Sequence, residues 1–87
     1  MNVSDILNKL GTIVGVGDEA GAIATEAVTI TNQFKTGQLS QSEYQELIGD
    51  LQIEKLILIN ANQLIMKEDL DLLFTNIKAA ASIFPML

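Results

Sequence analysis

Apolar side chains recur along this chain at intervals of three and four, with breaks near residues 15–17, 36–40 and 60–63. Val3, Ile6, Leu7, Leu10, Ile13 and Val14 set the first such run and predict a short amphipathic helix over about 4–14. Ser4 is its expected N-cap, and Asp5 suits the positive end of the helix dipole. Gly11, Gly15 and Gly17 weaken the far end, and the last two with Asp18 predict a loop. Asp18 is then the expected cap of a second helix over 18–35, with Glu19 in its first turn and Ala20, Ile23, Ala27, Ile30 and Phe34 along one narrow face. Ala20, Gly21, Ala22, Ala24 and Ala27 give it a small-residue surface that permits close approach by a neighbour. Residues 27–31 alternate and are rich in β-branched side chains, but no second segment offers itself as a partner strand, so helix is favoured.

The next break carries several agreeing signals. Gly37 can take the left-handed conformation that stops a helix, and Ser40 with Glu43 forms the Ser-x-x-Glu capping box that starts another. Leu39 and Tyr44 occupy the two staple positions around that cap. A joint this short, at 36–40, predicts an αα-hairpin. Tyr44, Leu47, Ile48 and Leu51 continue the third helix, expected over about 41–62. Ile53, Leu56, Ile57, Leu58 and Ile59 then crowd more apolar positions together than one stripe can hold, because successive helical residues lie about 100° apart. Asn60 to Gln63 mark either the end of this helix or a polar interruption, which leaves open whether 41–83 is one helix or two. Met66, Leu70, Leu73, Phe74, Ile77, Ala81 and Phe84 predict a last helix over 66–83, which Pro85 cannot extend. The expectation is an all-α fold, a small bundle of three to four helices in one domain spanning 1–87.

Composition changes this picture in two ways. Hydrophobic residues make up 48% of 87 residues, with three Phe, one Tyr and no Trp, so the core is aliphatic and the chain too apolar to be a disordered tail. A chain of this size buries only about 60–65% of its unfolded surface, and a partner chain is a natural way to bury more. The complete lack of Cys and His excludes thiolate nucleophiles, imidazole bases, disulfides and the usual zinc sites.

Eleven acidic residues against five Lys give a net charge of −6, which argues against direct binding to nucleic acid or anionic lipid. The N-terminus lacks the basic region of a signal peptide, and no apolar run approaches the roughly 20 residues of a spanning helix. A soluble chain, cytoplasmic or virion-associated, is the expectation.

Candidate chemistry is sparse. Glu43, Glu46, Asp50 and Glu54 form an acidic edge best read as a solvated helix face. Glu68, Asp69 and Asp71 lack the alternating ligands and central Gly of a calcium loop. Gly15-Val16-Gly17 lacks the strand, further glycines and Lys of a phosphate loop. A carboxylate pair would need a sugar-sized pocket, and Tyr44, the sole phenol, is assigned to the staple. No catalytic residue, cofactor site or metal site is assigned, and the chain reads as non-enzymatic. The wide apolar segment and the apolar tail Phe84-Pro85-Met86-Leu87 instead predict an interface at Leu56, Ile57, Ile59, Phe84, Met86 and Leu87.

The stretch Phe34-Lys35-Thr36-Gly37-Gln38-Leu39-Ser40-Gln41-Ser42-Glu43-Tyr44-Gln45-Glu46-Leu47 resembles short helical oligomerisation modules of the SHOCT type over about 14 residues. Small, acidic, helical and free of Cys and His, the whole chain also resembles minor structural or accessory proteins of bacteriophages. The first resemblance implies oligomerisation and the second a small structural or accessory subunit, and small size with the apolar segment and tail makes a self-associating homo-oligomer the leading expectation. Two alternatives are a peripheral membrane regulator using the glycine-rich segment Val3 to Gly17, against which Lys9 stands as its lone basic residue, and an acidic mimic that binds a basic protein partner.

Overall fold

The computed structural model describes residues 3–59 and 64–79. They form four α-helices, α1 (Val3–Val14), α2 (Asp18–Lys35), α3 (Gln41–Glu54) and α4 (Leu64–Ala79), with a 3₁₀ turn at Leu56–Leu58 following α3. The chain is a small all-α bundle. α1 packs most extensively on α2 and α3 on α4, with α2 against α3 joining the two pairs and α1 meeting α4 only sparsely.

One apolar cluster draws on every helix. α1 contributes Val3, Ile6, Leu10 and Ile13; α2 contributes Ile23 with Ala20, Ala24 and Ala27, whose small side chains let α1 come close. α3 contributes Tyr44, Ile48 and Leu51, and α4 contributes Leu70, Leu73, Phe74 and Ile77.

Two expected caps are displaced. Ser4 lies inside the first turn of α1, and Asp18 is the first residue of α2, so neither is an N-cap. Gly17 takes that role in α2, because its carbonyl accepts the first helical hydrogen bond, from Gly21 N–H at 2.9 Å, and its φ of 82° is one that Asp18 would adopt only with strain.

The helix stop and the capping box of the joint between α2 and α3 form as expected. Gln38 N–H donates to Gln33 O at 2.8 Å and Gly37 N–H to Phe34 O at 3.1 Å, the paired bonds of a Schellman motif, with Gly37 at φ 85°. Ser40 Oγ accepts from Glu43 N–H at 3.1 Å while Glu43 Oε1 accepts from Ser40 N–H at 2.8 Å, completing the capping box.

The third helix is shorter than its expected extent to residue 62. α3 stops at Glu54 and the chain tightens into the 3₁₀ turn, closed by Ile59 N–H donating to Leu56 O at 3.2 Å. The reason lies in the crowded apolar run. In a 3₁₀ turn residues three apart eclipse each other, so Leu56 and Ile59 both reach the core while Ile57 turns outward. Residues 41–79 therefore hold two helices, and α4 begins at Leu64, two residues before the expected start. The expected helical residues 80–83 and the tail 84–87 lie outside the described residues.

α3 and α4 run antiparallel, and two glutamines bridge them and mark the register. Gln45 Nε2 donates to Ile77 O at 3.2 Å, and Gln52 Nε2 donates to Asp71 O at 3.3 Å and Thr75 Oγ1 at 2.9 Å.

Candidate functional site

Tyr44, which the capping box carries into the first turn of α3, is fully buried. Its ring stacks on Phe34 of α2, centroids 4.8 Å apart and planes 12° from parallel. Its hydroxyl lies 2.8 Å from that of Thr31, itself fully buried on α2. Burial pushes the phenol up to about 12, partly opposed by the hydrogen bond to Thr31. A phenol so placed is neutral at ordinary pH and turned away from solvent, and it joins α2 to α3.

Glu43 is engaged in the cap, and Glu46, Asp50 and Glu54 stand exposed along α3. Among the described residues no group of three or more acidic side chains could hold a metal ion. Nor is any helix among them long and apolar enough to cross a membrane.

The six expected interface residues separate. Leu56 and Ile59 lie in the core at 2% and 6% exposure, where the chain itself covers them. Ile57 stands 66% exposed. Phe84, Met86 and Leu87 fall outside the described residues.

Other large apolar side chains share the surface with Ile57. Ile53 near the end of α3 and Ile65 and Leu72 on α4 are each more than three-fifths exposed, and Val14 and Val16 are partly so. Sequence reasoning missed Ile65 and Leu72. Their signal was available, since Leu72 sits directly beside the core position Leu73 and cannot share its direction.

Two surface grooves accompany these residues. One, of about 330 Å³, runs between the sparsely touching α1 and α4, with Lys9, Thr12 and Ile13 on one wall and Asp69, Leu72 and Asn76 on the other. The second, about 380 Å³, lies between α2 and Lys55 and is lined by Glu19, Ala22, Ile23 and Glu26. Lys55 Nζ pairs with Glu26 Oε1 across it at 3.9 Å. Both are open grooves on the outside of a bundle. Comparisons of the chain with protein-family models, curated proteins and solved structures find no match.

Proposed function

We propose that this protein is a non-enzymatic helical interaction module that self-associates and serves as a small structural or accessory subunit, of the kind found in bacteriophages. The observation that carries this reading is the set Ile53, Ile57, Ile65 and Leu72, large aliphatic side chains left in water by a bundle whose core is otherwise formed. Removing each from solvent stabilises an assembly by roughly 1–2 kcal/mol, a large gain for a domain of this size. Of the expected interface residues that lie among the described ones, Ile57 is the one that stands exposed. The local resemblance of residues 34–47 to oligomerisation modules agrees with this reading, as does the chemistry of the chain, which has no Cys or His and keeps its one phenol buried and neutral.

Sedimentation velocity with light scattering, from low to high protein concentration, tests it. The expected result is a mass that rises to a multiple of the chain mass. A well-folded monomer throughout would overturn the reading. Flanking genes that encode virion components would support the accessory role, and flanking metabolic genes would count against it.

A further inference from the structure

We infer that self-association runs through the α1–α4 groove, two copies pairing about a two-fold axis so that Lys9 of each meets Asp69 of the partner subunit, with Leu72 between them. This rests on the self-association reading and adds the surface to it.

The argument begins from charge. Two copies of a chain carrying −6 repel each other, so contact is favoured where the local charge balances and apolar area is available. The lining of the α1–α4 groove holds one Lys and one Asp, with Thr12 and Asn76 as the neutral polar residues and Leu72 as the exposed apolar one above the buried Ile13 and Leu73. The balance is confined to the lining, because Asp5, one turn from Lys9, and Glu68, next to Asp69, add two exposed negative charges at its edge. Among the described residues neither Lys9 nor Asp69 forms an ion pair.

The rival surfaces are less suitable. The groove beside α2 carries Glu19 and Glu26 against Lys55, a net negative lining whose cation is already paired with Glu26. Ile53 and Ile57 each lie within three positions of an acidic residue, Asp50 or Glu54, in sequence, with Lys55 the one cation between them.

Symmetry adds a second reason. An isologous contact needs a patch complementary to itself, and a cation and an anion on opposite walls of one groove meet that condition. On α4, Ile65, Asp69, Leu72 and Asn76 follow at spacings of four, three and four, so they share one side of the helix. Ile65 thereby extends the apolar area about 10 Å beyond Leu72.

The test uses two exposed charge reversals, Lys9→Glu and Asp69→Lys, in the full chain, with helical circular dichroism as the check on folding. Each variant alone brings like charges together twice in its homodimer, and its dissociation constant should rise at least about tenfold. Mixed in equal amounts, the two variants should form a heterodimer in preference to either homodimer, because both contacts then join opposite charges. Native mass spectrometry distinguishes these species, and Ile57→Asp serves as the comparison. If the unaltered chain associates but the reversals leave it unchanged, or the mixture shows no heterodimer preference, the groove is the wrong surface while self-association stands. Loss of assembly in Ile57→Asp alone would likewise overturn the groove assignment. A monomeric unaltered chain would overturn both readings.

Discussion

Tyr44 is held by Phe34 against its ring and by Thr31 at its hydroxyl, two contacts that tie α3 to α2 in different ways. Removing one hydroxyl strands the other in an apolar interior, so Thr31→Val and Tyr44→Phe should each destabilise the fold by about 1–3 kcal/mol. The double variant should lose less than the sum, and a denaturant-unfolding cycle measures the difference. The phenol also makes stability depend on pH. Its folded value of about 12 lies above the ordinary 10.0, so stability is complete below pH 10 and declines above it, as the unfolded chain releases a proton that the folded chain keeps. Between about pH 9 and pH 11 the unaltered chain should lose roughly 1–1.5 kcal/mol more than Tyr44→Phe, and unfolding both proteins at each pH checks this.

At the scale of elements, the 3₁₀ turn after α3 decides which apolar side chains belong to the core. Ile59→Asp places a charge among Leu56 and its core neighbours and should unfold the bundle or cost several kcal/mol, whereas Ile57→Asp should change stability by no more than about 0.5 kcal/mol. Thermal unfolding followed by circular dichroism separates the two outcomes. Both residues lie in one apolar run and look equivalent in sequence, because periodicity alone does not reveal where a helix tightens from 3.6 to 3.0 residues per turn. The α2–α3 joint was legible for the opposite reason. A Schellman glycine and a capping box are satisfied by residues within six positions of one another, so their chemistry is local. The caps at Ser4 and Asp18 were misplaced because a cap residue identifies a boundary only to within a residue or two.

For the whole molecule, small size and exposed aliphatic side chains would make the proposed self-association a source of folding stability. Any species that binds the folded state and not the unfolded one raises apparent stability, so the melting temperature of a self-associating bundle should climb with protein concentration. Calorimetry over a wide concentration range measures that climb, and the Lys9→Glu variant should show a weaker one. The α1–α4 groove behind this expectation was not legible in the sequence, because Lys9 and Asp69 are 60 positions apart and share a site only through the packing of two helices. By itself the sequence determined that the chain is helical, where α2 stops and α3 starts, and that thiol and imidazole chemistry are absent, since these follow from local periodicity, capping and composition. Tertiary structure alone decided that Leu56 and Ile59 turn inward while Ile57 stays in water, that Tyr44 is buried against Thr31, and that α1 and α4 stand apart enough to leave a groove. Those outcomes depend on which neighbours occupy the space around a side chain, and that is set by the packing of all four helices together.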